Sequence, residues 1–239
     1  MIHERYLRQL ALLGRDGQER LRRARVVVAG VGGLGSTASM LLVAAGVGKV
    51  ILFDNGVVEL SNLNRQILYR EEDLGKPKAL TAASKLGSLN SDVEVVGYVE
   101  DVRSDRFREE VSNADLIVDC LDNWAARIVV DKAAWALGKP LVHGGISEFY
   151  GQVTTVVPGV TKCLRCVLNL SEERASKIAE RPPQVIGPTP ALVGAIEAVE
   201  AIKLLTGAGE LLTNKLLVVD LKRYEFTKLE LTVGEECRC

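Results

Sequence analysis

The sequence predicts an α/β protein whose mostly parallel β-sheet is covered by helices on both faces, a Rossmann-like arrangement. Short apolar runs alternate with longer helical patterns through the first 150 residues. The runs are apolar at nearly every position, as parallel strands are when both faces of a sheet are buried. Apolar residues make up 47% of the chain and charged residues 26%, a composition that supports a packed core.

Five strands are predicted before residue 150, with helices between them. The strands are 24–30, 49–54, 93–99, 114–120 and 139–146. The helices are 33–45, 76–88, 104–112 and 123–137. Alternation of this kind is typical of a parallel sheet.

The pattern changes after Gly145. The later predicted elements are a strand over 151–157, a polar and mobile crossover loop over 169–184, a helix over 190–207, and strands over 215–221 and 224–231. Gly207 is a common type of helix stop. No internal repeat or low-complexity linker divides the chain, so we predict a single domain over 1–239.

Charge and hydropathy exclude several classes of protein. Thirty Lys and Arg residues balance 31 Asp and Glu residues, which argues against broad binding of DNA or a membrane surface. Residues 26–48 carry no charge and are long enough to cross a bilayer, but their glycines and two-part pattern favour a buried strand, turn and helix. No signal peptide is visible at the N-terminus, so we expect a cytoplasmic protein.

A glycine-rich loop follows the first strand. Gly30, Gly32, Gly33 and Gly35 fit the pattern G-x-G-x-x-G. Glycines there let backbone N–H groups approach a phosphate, and the next helix begins with unpaired N–H donors. Asp54 ends the second strand 19 residues after Gly35 and is placed to accept from a ribose hydroxyl. This loop predicts nucleotide binding without deciding between NAD(P) and another nucleotide.

The segments that follow decide between them. Residues 55–69 and 74–79 bring an arginine and two lysines, and residues 119–123 bring a second acidic turn. A nicotinamide enzyme has no evident need of these groups. An enzyme that breaks the α–β phosphate bond of ATP must stabilise charge on both phosphate fragments and hold Mg²⁺ with a carboxylate.

Four motifs in this order resemble the ThiF/MoeB/HesA family of ubiquitin-activating-like (E1-like) adenylyltransferases. They are GVGGLGS (30–36), SNLNRQ (61–66), GKPKA (75–79) and DCLDN (119–123). RYLRQ (5–9) and EAIKLLTG (200–207) fit the same family. The resemblance implies one E1-like adenylation domain, with its nucleotide-binding part at about 1–150 and a partner-binding and zinc part at about 151–239.

The resemblance also implies an activity and a set of residues. The family joins AMP from MgATP to the C-terminal glycine of a ubiquitin-like sulfur carrier that ends in Gly-Gly. The implied roles are phosphate-loop shaping by Gly30, Gly32, Gly33 and Gly35, ribose binding by Asp54, phosphate contacts from Asn62, Arg65 and Lys78, Mg²⁺ binding by Asp122, nucleotide contacts from Gln66 and Asn123, and donation of Arg8 across a homodimer interface.

Two positions depart from the family pattern. Gly56 stands where a second acidic residue is usual, two positions after Asp54. Leu121 replaces a common small polar residue. The reactive groups remain, so we expect the ribose or metal geometry to differ rather than the chemistry.

Four of the five cysteines form two close pairs. Cys163 and Cys166 are spaced C-x-x-C, and Cys237 and Cys239 end the chain as C-x-C. Four thiolates in two pairs fit a structural tetrahedral Zn²⁺ site, which the family often has. A redox pair or unlinked thiols are the alternatives. Cys120 is predicted to be a small buried core residue.

The crossover region carries a further expectation. Some family members have a cysteine there that accepts the activated acyl group or sulfur. Residues 177–188 contain none, and Glu180 lies near the equivalent place. We therefore predict adenylation without a loop cysteine, with sulfur supplied by a separate sulfurtransferase.

Strand residues near 145 complete the set of predicted site residues. His143 is predicted to be a structural histidine at a strand end. Gly144, Gly145 and Gly151 are predicted to shape the groove that receives the partner's glycine tail, because a threaded chain needs small residues beside it.

Three other functions compete with adenylation of a carrier. Within the family, the activated carboxylate could belong to a modified tRNA nucleoside or a peptide. An NAD(P)-linked oxidoreductase would leave Arg65, Lys78 and Asp122 without a role. A non-catalytic scaffold for a ubiquitin-like partner would need neither Asp122 nor Arg65.

Overall fold

A single eight-stranded sheet organises the computed structural model, which describes residues 4–170 and 184–231. The strand order is β3-β2-β1-β4-β5-β6-β7-β8. The strands are β1 (Arg25–Ala29), β2 (Lys49–Phe53), β3 (Glu94–Tyr98), β4 (Leu116–Asp119), β5 (Leu141–Ser147), β6 (Tyr150–Val156), β7 (Lys215–Asp220) and β8 (Glu225–Glu230). β1 to β5 run parallel, and β6 to β8 add antiparallel hairpins at one side. The predicted α/β class, with its C-terminal strands, is confirmed.

The helices connect the parallel strands as the sequence predicts, with two additions. They are α1 (Leu7–Arg23), α2 (Gly33–Ala45), α3 (Lys78–Leu89), α4 (Asp105–Ser112), α5 (Trp124–Ala136), α6 (Leu164–Val167) and α7 (Pro188–Thr206). α1 and α6 were not predicted, and α3 begins two residues later than expected because Pro77 precedes it. α7 begins two residues earlier, with a proline in its first turn.

Alternate residues of each central strand face opposite layers. Val26 and Val28 of β1 pack on the side that holds α1, α2, α3 and α7. Val27 and Ala29 pack on the side that holds α4, α5 and α6. Both sets are fully buried, which explains why the strand reads as an unbroken apolar run.

This topology creates the place for a ligand. β1 lies between β2 and β4. β2 and β3 extend the sheet on one side of β1, and the strands from β4 onward extend it on the other side. In open α/β sheets, ligands bind beyond the carboxyl ends of strands at such a switch point. The uncharged stretch 26–48 is divided between β1 and α2, and no helix within the described ranges is long and apolar enough to cross a membrane.

Three predictions concern residues that the structure does not describe. Most of the crossover loop (171–183), including Glu180, lies outside the described residues. So do Cys237 and Cys239.

Candidate active site

A cleft of about 820 Å³ opens at the carboxyl ends of β1, β2 and β4. Segments that follow β1, β2, β3 and β4 line it, together with the β5–β6 hairpin. The predicted site residues that line it are Gly30, Gly32, Gly33, Asp54, Arg65, Gln66, Lys78, Asp122 and Asn123. The cleft thus brings together residues that span more than 90 positions of sequence.

The glycine loop needs its glycines for close backbone approach. Gly30 has φ +88°, and a Cβ there would lie 2.9 Å from the Cys120 carbonyl oxygen. A Cβ on Gly35 would lie 2.0 Å from the Gly30 carbonyl oxygen, so α2 starts directly against the loop. Gly32 precedes α2, and no described side chain caps that helix. The N–H groups of its first turn therefore face the cleft without a side-chain acceptor, as in phosphate-binding loops.

Two side chains hold the loop in place from opposite sides. The Asp54 carboxylate accepts from Val31 N at 2.8 Å and, through its other oxygen, from Gly56 N at 2.8 Å. The Tyr69 hydroxyl donates to Val31 O at 2.9 Å. Burial raises the pKa of Tyr69, so the hydroxyl keeps its proton for this bond. Asp54 is thereby oriented at the cleft wall, with acceptor capacity left for a hydroxyl.

The side chains of Arg65 and Gln66 also lie beside the glycine loop. The Arg65 side chain runs beside Gly33, and its Nη1 donates to Ser61 O at 2.8 Å and to Asn64 Oδ1 at 3.0 Å. Gln66 is 4% exposed, and its buried Oε1 has no hydrogen-bond partner among the described residues. A buried acceptor without a partner is costly unless water or a ligand satisfies it.

Lys78 lines the same cleft as Arg65, at the start of α3. Its Nζ is 3.5 Å from the position that a Cβ on Gly56 would take. A longer acidic side chain at that position would therefore meet the ammonium group. Gly56 leaves the charge of Lys78 directed to the cleft.

Asp122 and Asn123 follow β4 and have different structural roles. Asn123, not Asp122, caps α5, because its Oδ1 accepts from Ala126 N at 2.8 Å. Its Nδ2 lies 3.3 Å from Asp122 Oδ1. Asp122 is exposed in the cleft. An exposed carboxylate oxygen is the kind of ligand that Mg²⁺ takes while it keeps several waters, so this residue fits a metal that arrives with a nucleotide.

Three predicted residues do not line the cleft. Gly35 lies buried behind the loop. Asn62 is 6% exposed, and its Oδ1 accepts from Glu59 N at 3.1 Å, so its amide shapes the turn that presents Arg65. Arg8 is exposed on α1, away from the cleft of its own chain.

A buried ion pair that the sequence analysis missed lies under the cleft. Asp119 Oδ2 accepts from Arg127 Nη1 at 2.9 Å and lies 2.8 Å from His143 Nδ1. Burial alone would raise the pKa of Asp119, but Arg127 and His143 outweigh it, and the pKa lies below its ordinary value. Burial and the Arg127 charge lower the pKa of His143. We therefore assign a neutral His143, whose Nδ1 also lies 2.7 Å from Arg127 Nη1, and this residue lies inside β5 rather than at its end.

Glu197 of α7 is the second buried acid near this pair. Its oxygens lie 3.7 and 3.8 Å from Cys120 Sγ, and it is fully buried. Burial, with the Asp119 charge second, raises the pKa of Glu197 well above its ordinary value. Burial and the neighbouring Glu197 also raise the pKa of the Cys120 thiol. Cys120 is buried, as predicted, and its protonated thiol is a poor nucleophile.

The raised pKa of Glu197 predicts a pH-dependent gain of stability in Glu197→Gln. In wild type, the carboxyl keeps its proton when folded, whereas the unfolded chain loses it above the ordinary value of 4.5. The contribution of the Glu197 carboxyl to the free energy of unfolding is therefore fully present below that pH. It is lost as the pH rises toward the pKa of Glu197 in the folded protein. The advantage of Glu197→Gln should grow by up to about 1.4 kcal/mol per pH unit in this window. Urea unfolding between pH 5 and 8 measures it.

An exposed glutamate provides the control for that series. Glu225→Gln on β8 should leave the pH profile of unfolding unchanged. If the difference between Glu197→Gln and wild type stays constant from pH 5 to 8, the protonated state assigned to Glu197 is wrong.

The other end of the cleft lies at the β5–β6 hairpin. Gly145, Tyr150, Gly151 and Gln152 line it, and Val185 closes one side. The backbone of Glu148, at the hairpin turn, bonds Gln184 and Ile186. The C-terminal end of the crossover region is therefore held by backbone hydrogen bonds beside this end of the cleft.

The glycines of β5 and β6 have a packing role that the sequence analysis did not foresee. A Cβ on Gly144 would lie 2.4 Å from the Glu197 carboxyl carbon, and a Cβ on Gly151 would lie 2.3 Å from Val193. Both glycines lie on the face of the sheet that meets α7, so they let α7 pack tightly on it. Gly145 instead faces the Gln152 side chain.

The first cysteine pair lies at α6. Cys163 is fully buried and precedes the helix, and Cys166 lies within it. In the described part of the chain, no group of three or more His, Cys, Asp or Glu side chains is arranged to hold a metal.

Comparison with known proteins gives a consistent result. The ThiF family matches residues 6–239. The sulfur carrier protein adenylyltransferase of Thermus thermophilus is 43% identical, with 99% of this chain and 89% of that protein covered. The SAMP-activating enzyme E1 of Haloferax volcanii is 39% identical, with 98% and 87% covered. The crystal structure of E. coli MccB with ATP superposes with a TM-score of 0.85 at 25% identity, with 99% of this chain and 74% of that chain covered.

The fold, the cleft and these similarities define an E1-like adenylyltransferase. The chain belongs to the ThiF family. The resemblance inferred from the four motifs is thereby confirmed.

Proposed function

We propose that this protein uses MgATP to adenylate the C-terminal glycine of a ubiquitin-like sulfur carrier ending in Gly-Gly, with release of pyrophosphate. The observation that carries the proposal is one cleft in which Arg65, Lys78 and Asp122 lie beside the glycine loop. An oxidoreductase would leave these three charges unused. The name of the Thermus thermophilus relative supports the sulfur carrier as substrate.

The nucleotide would lie across the carboxyl ends of β1 and β2. The open N–H groups at the start of α2 suit a phosphate, and Asp54 suits the ribose. Apolar and small groups from Phe53, Val102 and Ala126 line the same cleft and suit a flat base. The ATP bound in the MccB structure supports a nucleotide of this kind.

The reaction is an in-line displacement at the α-phosphorus. A carboxylate oxygen of the terminal glycine forms a bond to that phosphorus while the α–β bridging bond breaks, and pyrophosphate leaves with the bond's electron pair. Arg65 and Lys78 would stabilise the charge that develops on the phosphate oxygens. Asp122 would hold the magnesium, which supplies charge neutralisation for the departing pyrophosphate.

The acceptor tail would enter along the β5–β6 hairpin. Gly145, Gly151 and Val185 line this end of the cleft, and a terminal Gly-Gly has no side chains to fit beside them. Residues 177–188 contain no cysteine. We therefore propose that the acyl-adenylate is the product of this enzyme and that a separate sulfurtransferase supplies the sulfur.

A homodimer is part of the same proposal. Arg8 is exposed on α1 and does not line the cleft of its own chain. A residue with a role at the phosphates must then act in a partner subunit. Arg8→Ala should lower exchange activity without a change in dimer mass, and mixed dimers with Asp122→Asn should recover part of it.

Zinc binding by Cys163, Cys166, Cys237 and Cys239 remains a prediction with a direct test. Cys163 is disulfide-bonded in the structure, and once it is reduced, its C-x-x-C spacing from Cys166 suits one half of a tetrahedral thiolate site. We expect one zinc per purified chain by metal analysis and a lower melting temperature after chelation. Cys163→Ser with Cys166→Ser should abolish the zinc, whereas Cys120→Ser should keep it. Zinc-free wild-type protein with an unchanged melting temperature would contradict the site.

ATP–pyrophosphate exchange tests the proposed function. Purified protein, Mg²⁺ and a panel of carriers are compared, each carrier with and without its Gly-Gly tail. Exchange that requires the tail supports carrier adenylation and identifies the carrier. ATP binding without exchange for any carrier would transfer the activity to another carboxylate, such as that of a tRNA nucleoside or a peptide.

A further inference from the structure

We propose that Arg127 is a positioning residue that fixes the turn carrying Asp122 and links it to the acceptor strand β5. The meaning of that link rests on the proposed function, because Asp122 is taken as the magnesium ligand. Arg127 is 5% exposed and lies in the first turn of α5, directly below the cleft.

The ion pair holds the residue before Asp122 from both sides. Asp119 Oδ1 accepts from Leu121 N at 3.2 Å, and Arg127 Nη2 donates to Leu121 O. Asp119 and Arg127 are themselves joined at 2.9 Å. Both peptide groups of Leu121 are therefore tied to one buried pair, and the direction in which Asp122 leaves the strand is set. Asp122 itself is exposed, and among the described residues its side chain has a hydrogen bond from the Asn123 amide alone, so this backbone control determines its position.

The same guanidinium also reaches β5. Arg127 Nη1 donates to Gly144 O at 2.7 Å, next to His143, which is held by Asp119. His143 Nε2 lies 3.4 Å from the Gln152 amide nitrogen, and Gln152 lines the acceptor end of the cleft. Arg127 thus connects the turn that carries Asp122 to β5, the strand along which the acceptor tail would lie.

The chemistry of arginine suits this task. The guanidinium stays charged when buried and presents its donors as a rigid fork, so it holds three oxygens in fixed directions. The Trp124 ring lies beside it, with the guanidinium carbon 5.3 Å from the ring centroid, and both residues line the cleft. A lysine keeps the charge but cannot span Leu121 O, Gly144 O and Asp119 together.

Arg127→Lys is the test, with a readout at binding equilibrium. The affinity for ATP is measured by calorimetry in EDTA and again in excess Mg²⁺. The ratio of the affinity with Mg²⁺ to the affinity without it is the magnesium gain. We expect Arg127→Lys to keep the affinity for metal-free ATP and to lose about tenfold or more of the magnesium gain, as groups behind a metal ligand do. Pyrophosphate exchange is recorded in parallel, so the absence of exchange in wild type would count against the proposed function alone.

Arg25→Lys is the matched control. Arg25 forms an ion pair with Glu110 at 2.7 Å at the opposite end of β1, so the same change there should leave the magnesium gain intact. A folded Arg127→Lys with a wild-type magnesium gain would overturn the proposal. If Arg127→Lys does not fold, Asp119→Asn with Arg127→Gln removes both charges together, and it should show the same loss. Failure of both to fold, with Arg25→Lys folded, would make Arg127 a stability residue and overturn the proposal as well.

Discussion

Asp122→Asn is expected to lower the rate of carrier-dependent ATP–pyrophosphate exchange by about 10²–10³-fold. The amide keeps the size of the side chain and its proximity to Asn123, so the turn after β4 should not move. What is lost is the negative charge that would hold magnesium at the departing phosphates. Because Asp122 is exposed and caps no helix, the variant should unfold at the same urea concentration as wild type.

Asp101→Asn separates loss of this charge from loss of any acid in the cleft. Asp101 lines the cleft beyond β3, where its carboxylate accepts from Arg103 Nη1 at 3.0 Å. We expect this control to keep most of the exchange activity. Full exchange activity in Asp122→Asn would remove the metal role from this residue.

The parallel strands and the motif residues could be predicted because their signals are local. A strand such as β1 is buried on both faces, so its sequence is apolar throughout. The glycines of the loop are required by contacts within a short strand–turn–helix unit. Such features are visible in a few consecutive residues.

The N-terminal helix was missed although its residues divide into an apolar and a polar face with helical spacing. α1 is interrupted at Gly14, where φ is +69°, and most of its residues are exposed. A Cβ on Gly17 would lie 3.7 Å from Thr206, so α1 lies against the end of α7, about 190 residues away in sequence. Polar and charged residues outnumber apolar ones over 7–23, so the apolar face that packs on α7 is narrow and easily overlooked in the sequence.

The supporting residues of the site were missed for the same reason. Tyr69 holds a carbonyl 38 residues earlier, and His143 meets Asp119 across 24 residues. Asn62 was predicted from family resemblance to contact phosphate, yet its side-chain oxygen bonds the backbone of its own turn. The motifs predict which residues lie near the cleft. The role of each residue depends on hydrogen bonds between distant parts of the chain, which only the folded structure shows.

Gly35→Ala is the second change for which we expect a large effect. Its Cβ would lie 2.0 Å from the Gly30 carbonyl oxygen and 2.9 Å from the Gly30 carbonyl carbon. The neighbour is backbone that also bonds Phe53, so it cannot rotate away as a side chain would. Either α2 or the loop must shift, at a cost of about 3 kcal/mol in the free energy of unfolding. The same shift would move the N–H groups at the start of α2, and ATP affinity should fall with stability.

Gly87→Ala shows whether this effect belongs to the loop or to any glycine within a helix. Gly87 lies inside α3, and a Cβ there would meet nothing within 4 Å. Alanine at such a site should stabilise the protein by about 0.5–1 kcal/mol, because it restricts the unfolded chain and favours the helix. Urea unfolding and ATP calorimetry on both variants decide the question. Wild-type stability and ATP affinity in Gly35→Ala would mean that α2 does not begin as close to the loop as the 2.0 Å approach requires.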